Sequence, residues 1–115
     1  SFLAESKLRT IAIEDSLSYS GKRTVNIDPG YLTLSKVVLA TAKNYSHRIY
    51  LGRGIYGELT LSCRKGHYEP LPYTYYDYRD TATISLFEAM RDLLKNLADL
   101  RALHHNKVVP VDRLV

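Results

Sequence analysis

Apolar residues recur at helical spacing near both ends of the chain. Residues 3 to 16 are rich in Glu, Lys and Arg and carry four apolar positions with this period: Ala4, Leu8, Ile11 and Ala12. Towards the other end, apolar positions follow alternating steps of four and three: Leu86, Met90, Leu93, Leu97 and Leu100, with Phe87 and Leu94 beside them. Both periods predict amphipathic helices. A capping box of Ser85 and Glu88 sets the expected start of the second helix, which we expect to end near His104.

Between the two helices the pattern changes to that of β-strands. Four segments alternate between apolar and polar residues or form a short apolar run: 24–28, 37–41, 45–51 and 55–64. Pro70 and Pro72 exclude a central strand from the tyrosine-rich segment that follows. We therefore predict an α+β fold. An antiparallel sheet of four or five strands, formed by residues 24 to 71, packs one face against the N-terminal and C-terminal helices.

The last two of these segments are predicted to form a hairpin. They flank Gly52-Arg53-Gly54, which has the length and the glycines of a hairpin loop. A three-residue loop places Tyr50 opposite Tyr56 and Arg48 opposite Glu58. An aromatic pair and an opposite-charge pair then fall on one face, and each such pair stabilises a hairpin by about 0.2–1 kcal/mol.

The charge of the chain is unevenly distributed. Its 115 residues include 16 Lys and Arg against 12 Asp and Glu, which gives a net charge of +4. Residues 21 to 67 hold eight basic residues against two acidic ones. Such a segment favours anionic partners such as phosphates, nucleotides or RNA, although solubility alone accounts for it equally well.

Length, cysteine usage and hydropathy narrow the class of protein further. A chain of this size fits a single domain. The one cysteine, Cys63, excludes an internal disulfide, and no apolar run is long enough to span a membrane. We therefore expect a cytoplasmic protein.

Three glycines of the predicted hairpin have the spacing G-x-G-x-x-G of nucleotide-binding loops: Gly52, Gly54 and Gly57. In dinucleotide-binding proteins these glycines open a helix, whereas here a strand is predicted to follow, so a turn is the better interpretation. The basic segment nevertheless supports our first hypothesis, a module that binds a small anion or the phosphate of a nucleotide. Its candidate ligand-binding residues are Arg48, Arg53, Lys36, Gly52, Gly54, Tyr50 and Tyr56.

Two other classes of function stay open. The second hypothesis is a hydrolase-type enzyme that uses Asp28, His47 and Tyr31. No recognised ligand spacing links the histidines and aspartates, so we predict no metal site. The tyrosines suit base stacking, but no RNA-binding motif accompanies them, so a nucleic acid partner has no motif support. The third hypothesis is an interaction subunit that forms a homo-oligomer through its C-terminal helix.

Three long motifs resemble one protein family. They are V-N-I-D-P-G-Y-L-T-L-S-K (25–36), N-Y-S-H-R-I-Y-L-G-R-G-I-Y-G-E-L-T-L (44–61) and P-L-P-Y-T-Y-Y-D-Y-R (70–79). The chain resembles, over about residues 5 to 95, a family of uncharacterised prokaryotic proteins catalogued as domain of unknown function 4416. Members of that family look longer at the N-terminus, so the resemblance implies that this chain corresponds to their C-terminal part. It implies no established activity.

Overall fold

The computed structural model describes residues 1–22 and 27–101, together with the backbone of Val109–Pro110. In chain order the described elements are α1 (Phe2–Ser16), β1 (Gly30–Leu32), β2 (Lys36–Thr41), β3 (Arg48–Gly52), β4 (Ile55–Arg64), β5 (His67–Pro70), a 3-10 turn (Tyr76–Tyr78), α2 (Thr81–Arg101) and β6 (Val109–Pro110). The predicted α+β class with an antiparallel sheet and a helix at each end is confirmed. Part of the strand expected at 24–28, and the helix end expected near His104, lie outside the described residues.

The sheet is built around β4. Its strands follow the order β3-β4-β2-β1-β6, and β5 also pairs with β4. All of these pairings are antiparallel. The long β4 has β2 along one edge, while β3 and β5 lie end to end along the other edge, next to its first and second halves. A gap therefore separates β3 from β5 beside the middle of β4.

A bulge in the middle of β4 reverses which side chains face which side of the sheet. Val37 pairs with Leu61, but Val38 pairs with Leu59, so Thr60 is an extra residue with no partner in β2. One extra residue shifts a period-2 alternation by one position. The sequence pattern predicts one face for all the odd-numbered apolar residues of β4, whereas the structure divides them between two hydrophobic clusters.

The two helices pack on opposite faces of the sheet, which corrects the expectation that they share one face. Helix α1 contributes Leu3 and Ala4 to a cluster with Val38, Ala40 and Ile55. Helix α2 contributes Phe87 and Leu94 to the other cluster, whose sheet members are Leu32, Val37, Leu39, Leu61 and Tyr68. Because alternate residues of β2 enter different clusters, this strand is buried on both sides.

The predicted hairpin register is confirmed. Arg48 pairs with Glu58 and Tyr50 pairs with Tyr56. The loop itself is shorter than predicted, because Gly52 pairs with Ile55 and only two residues lie between them. Both of these residues, Arg53 and Gly54, have positive φ angles (56° and 79°), as a type I′ turn requires. Two glycines of the G-x-G-x-x-G spacing, Gly52 and Gly54, thus serve a tight turn, whereas Gly57 lies within β4 opposite Ile49.

Helix α2 begins earlier than predicted and exposes part of its apolar surface. Asp80 accepts a hydrogen bond from the backbone N–H of Thr83 (3.2 Å), so the helix starts before the expected capping box. Glu88 of that box instead accepts the backbone N–H of Tyr68 (2.9 Å). Four leucines of the predicted stripe are exposed: Leu86, Leu93, Leu97 and Leu100. The expected homo-oligomer through this helix stays a prediction. No described helix is long and apolar enough to cross a membrane.

Adjacent leucines of α2 should differ sharply in their effect on stability. Leu94 is 3% exposed and Leu93 is 61% exposed. We expect Leu94→Ala to lower the free energy of unfolding by about 2–5 kcal/mol through lost burial and a residual cavity. The matched change Leu93→Ala should alter it by no more than about 0.5 kcal/mol. Urea unfolding followed by circular dichroism measures both, and equal losses would contradict the assigned orientation of the helix.

Candidate functional site

A polar cleft lies on the α2 side of the sheet, over the part that α2 leaves uncovered. Its floor is the row of paired residues Leu39, Glu58 and Arg48, whose side chains share one face because each is directly opposite the next. Leu39 belongs to the hydrophobic cluster under α2, so this row marks the border between the apolar core and the cleft.

The segment from Leu71 to Arg79 forms one wall of the cleft and fills the gap between β3 and β5. The Tyr73 hydroxyl donates to the carbonyl of Leu59 (2.6 Å), and the Thr74 hydroxyl donates to the carbonyl of Thr60 (2.8 Å). These side chains thus donate to backbone carbonyls of β4 at two positions that have no partner in β3 or β5. The Arg79 guanidinium then holds the segment together by donating to the carbonyls of Leu71, Pro72 and Thr74.

A buried carboxylate organises the floor. The side chain of Glu58 is 7% exposed, and its Oε1 lies 2.7 Å from His47 Nε2 and 2.9 Å from Arg48 Nε. Because an ionised carboxylate can only accept, the imidazole must donate its Nε2–H, which leaves Nδ1 as the nitrogen able to take a proton when the ring is neutral. The guanidinium of Arg48, with a side chain only 4% exposed, compensates the buried negative charge.

Aromatic rings hold His47 and Arg48 in place. The imidazole of His47 stacks on the ring of Tyr73, with centroids 3.8 Å apart and planes inclined by 21°. The ring of Tyr45 lies nearly parallel to the same imidazole, with centroids 6.0 Å apart. The Arg48 guanidinium lies 4.5 Å from the Tyr45 ring centroid. Arg48 Nη1 also donates to the carbonyl of Lys43 (2.9 Å). Several contacts therefore fix both side chains.

Asp28 lies on the opposite side of the cleft and contacts elements from both faces of the sheet. Asp28 Oδ2 accepts a hydrogen bond from the Tyr78 hydroxyl (2.9 Å), while Oδ1 lies 3.6 Å from the ammonium of Lys7 on α1. Lys7 also donates to the carbonyl of Ile27 (3.2 Å) and is largely buried. Burial and the nearby charge of Asp28 raise the pKa of Tyr78 above its ordinary value of 10.0.

Two adjoining cavities occupy the cleft. One has a volume of about 310 Å³ and is lined by two cationic side chains, Lys43 and Arg48, and by two tyrosines. Its lining residues are Asp28, Leu39, Ala40, Thr41, Lys43, Arg48, Glu58, Tyr75 and Tyr78. The other, of about 330 Å³, is mostly aromatic: Tyr45, Ser46, His47, Arg48, Glu58, Tyr73 and Tyr75. Arg48, Glu58 and Tyr75 line both. Volumes of this size lie at the lower end of those that hold small molecules.

The structure brings together some of the sequence-predicted site residues and separates others. Asp28, His47 and Arg48 all line the cleft. Tyr50 and Tyr56 form a ring pair on the same sheet face, with centroids 5.2 Å apart, but line neither cavity.

The remaining predicted residues lie elsewhere. Tyr31 contacts the hydrophobic cluster on the α1 side. Arg53, at the hairpin turn between Gly52 and Gly54, borders a groove formed with Glu5, Leu8, Arg9 and Ala12 of α1. Lys36 is exposed and pairs with Ser62 beyond the bulge, whereas the cleft lies on the other side of it.

Apart from Asp28, sequence reasoning missed the cleft residues that come from outside the hairpin. Lys43 was one of eight basic residues with nothing to single it out. The roles of Tyr73, Tyr75 and Tyr78 depend on how the tyrosine-rich segment crosses the sheet, which periodicity does not show. Among the described residues, no group of three or more His, Cys, Asp or Glu is arranged to hold a metal ion.

The raised tyrosine pKa has a consequence at high pH. Because Tyr78 keeps its proton in the folded protein at a pH where the unfolded chain loses it, this group lowers the free energy of unfolding as the pH rises above about 10, and has no such effect at lower pH. Tyr78→Phe should therefore show a shallower loss of stability between pH 9.5 and 11 (roughly the titration range of tyrosine) in guanidinium unfolding.

The control for this experiment removes a hydroxyl outside the cleft. Tyr76 is 89% exposed and lines neither cavity. Tyr76→Phe should keep the slope of the unmodified protein. A slope for Tyr78→Phe as steep as that of Tyr76→Phe would contradict the assigned environment of Tyr78.

Comparison with known proteins identifies the family. No curated protein and no solved structure matches the chain. The sequence profile of the family described as Domain of unknown function (DUF4416) matches residues 1–94, which include α1, the strands β1 to β5 and the residues of the cleft. The chain therefore belongs to the DUF4416 family.

Proposed function

We propose that the cleft binds a small anion, such as a phosphate or carboxylate group. The observation that carries this proposal is that two cationic side chains, Lys43 and Arg48, line the same cavity. Among the described residues, no ion pair or hydrogen bond to the Lys43 ammonium is found, so this charge is available to a ligand. Arg48 offers further N–H groups, because only two of its five donors have a partner there.

The surrounding charges favour an anion modestly. Three cationic side chains lie in or beside the cavity (Lys7, Lys43 and Arg48), against the two carboxylates of Asp28 and Glu58. Glu58 is compensated by Arg48 and Asp28 is held by Tyr78 and Lys7, so Lys43 supplies the excess positive charge. The hydroxyl of the half-exposed Tyr75 is a further donor on the same wall.

The hairpin turn is the competing location for an anion. Arg53 lies at its tip with Gly52 and Gly54 on either side. The Gly54 N–H already donates to the Tyr50 hydroxyl (3.3 Å), and Glu5 stands with Arg53 in the neighbouring groove. These contacts favour the cleft over the turn. The two locations can be told apart experimentally, because Lys43 belongs to the cleft and Arg53 to the turn.

Anion binding should appear as thermal stabilisation that depends on Lys43. At a phosphate concentration ten times Kd, linkage gives about 1.4 kcal/mol, or roughly 5 °C in Tm for a protein of this size. We expect phosphate or acetate to raise Tm in the unmodified protein and in Arg53→Ala, but much less in Lys43→Ala. Differential scanning fluorimetry at constant ionic strength measures the shifts.

Three results would count against this assignment in different ways. No shift with any anion at millimolar concentration would overturn anion binding. A shift lost in Arg53→Ala and kept in Lys43→Ala would move the site to the hairpin turn. Equal shifts in all three proteins would indicate a general effect of salt.

The His47–Glu58 pair favours a second candidate, a hydrolase-type enzyme. Our sequence-based hypothesis paired His47 with Asp28 and Tyr31, but the carboxylate hydrogen-bonded to His47 is that of Glu58, and Tyr31 lies with the α1 cluster. In this arrangement Glu58 orients the imidazole, and His47 Nδ1 takes a proton from an attacking water. Asp28 faces the adjoining cavity and holds Tyr78.

Hydrolysis of p-nitrophenyl acetate and p-nitrophenyl phosphate tests this candidate. Loss of a general base should lower the rate about 100-fold or more in His47→Gln. The matched control is His67→Gln, because His67 also faces a glutamate, with Nδ1 3.3 Å from Glu88 Oε2, but lies on β5 and is 75% exposed. Rates that are equal in both variants, or no hydrolysis above background, would contradict the hydrolase hypothesis.

The cytoplasmic location stays a prediction.

A further inference from the structure

Tyr75 stands between the two cavities and has an unoccupied ring. It is 58% exposed and lines both cavities. Among the described residues, no ring contact to Tyr75 and no hydrogen bond to its hydroxyl is found, in contrast to Tyr73 and Tyr78. Its backbone is fixed all the same, since its carbonyl accepts the N–H of Tyr78 (3.0 Å) as the 3-10 turn begins. A held backbone with a free aromatic face suits the stacking of a planar ligand.

The two cavities differ in chemistry in a complementary way. The cavity with Lys43 offers cationic groups for an anion. The cavity with Tyr45, His47 and Tyr73 is lined by three rings, of which Tyr45 and Tyr73 are inclined by 13° and 21° to the His47 imidazole. Arg48 borders both, with one side of its guanidinium near the Tyr45 ring. A ligand that fills both cavities therefore needs an anionic group at one end and a planar ring at the other.

Glu58 adds a requirement for the middle of such a ligand. It also lines both cavities, and although its Oε1 accepts from His47 and Arg48, a carboxylate has acceptor capacity for further donors. A hydroxyl-bearing linker between ring and anion would meet this acceptor. Resting on the proposed anion binding, we infer that the ligand is a nucleoside phosphate, with its phosphate beside Lys43, its sugar hydroxyls near Glu58 and its base stacked on Tyr75.

Other aromatic surfaces of the protein fit this ligand less well. Tyr50 and Tyr56 already contact each other and line neither cavity, although Tyr56 pairs with Thr41 at the cleft border. The groove beside Arg53 has two arginines but no aromatic ring. Tyr75 is the residue that connects an aromatic wall to a cationic one.

The experiment compares probes that differ by one part at a time. Inorganic phosphate, ribose 5-phosphate and the 5′-monophosphates of adenosine, guanosine, cytidine and uridine are titrated into the full chain by calorimetry. Stacking of one base on an aromatic side chain corresponds to roughly 5- to 150-fold in affinity. We expect at least one nucleotide to bind at least about 5-fold more tightly than ribose 5-phosphate.

Variants then assign the gain to Tyr75. Tyr75→Leu should abolish the advantage of the nucleotide over ribose 5-phosphate, and Tyr75→Phe should keep that advantage because it keeps the ring. Both variants lack the Tyr75 hydroxyl, so any loss of anion affinity is common to them, and the ratio of the two affinities in each variant isolates the contribution of the ring. The matched control is Tyr76→Leu, since Tyr76 is the adjacent tyrosine, is 89% exposed and lines neither cavity. Thermal unfolding shows whether each variant is folded, and Tyr75→Gln, which also lacks the ring, gives the answer should Tyr75→Leu fail to fold.

The outcomes separate this inference from the proposal on which it rests. If ribose 5-phosphate binds and no nucleotide binds more tightly, the nucleoside phosphate is overturned and anion binding stands. If the nucleotide advantage survives in Tyr75→Leu or is lost in Tyr76→Leu, the assignment to Tyr75 is overturned. If none of the probes binds and acetate also fails to raise Tm in the thermal experiment, both proposals fall.

Discussion

One extra residue in the central strand determines how the rest of the molecule is arranged. On the α2 side of the sheet, the half of β4 before Thr60 presents Tyr56 and Glu58, and the half after it presents Leu61 and Cys63. A regular strand would continue the same parity and place the polar and apolar side chains of the two halves on different faces. The bulge lets a single face carry a polar cleft and a hydrophobic core side by side.

The buried carboxylate of Glu58 is the electrostatic centre of that cleft. Its charge is compensated by Arg48 and hydrogen-bonded by His47, and removing one member of such a buried pair usually costs about 3–5 kcal/mol. The pair as a whole contributes little net stability compared with well-packed apolar residues. Its position on the wall of two cavities, beneath a ring stack, is the feature on which the proposed ligand binding rests.

Local patterns in the sequence predicted local structure well. The helix at Phe2–Ser16 and the pairing of Tyr50 with Tyr56 follow from residues close together in the chain. The bulge could not be predicted, because Leu59, Leu61 and Cys63 continue a regular alternation and the extra residue shows only against β2. As a result, the sequence could not show that the helices lie on opposite faces.

Only some residues of the site could be predicted, because the others come together through contacts between segments that are distant in the chain. Arg48 was a candidate because it belongs to the basic central segment, and Asp28 and His47 were candidates because a carboxylate and an imidazole suit acid–base chemistry. The contact between Tyr78 and Asp28 spans 50 residues, and no periodicity within either segment indicates it. Helix α2 has an apolar stripe wider than the core requires, so only the sheet decides that Leu94 is buried and Leu93 is not.

The segment that crosses the cleft has a double role with a consequence for how the protein can change. Tyr73 and Thr74 complete the unpaired edge of β4 through their hydroxyls, and the same stretch of chain carries Tyr75 over the cavities. A substitution at Tyr73 or Thr74 would loosen the sheet and displace the cleft wall together. Changes at these two residues therefore affect the fold and the cleft wall at once, whereas the side chains of Tyr75 and Lys43 have no hydrogen bond or ion pair within the described part of the chain and can change without disturbing the sheet.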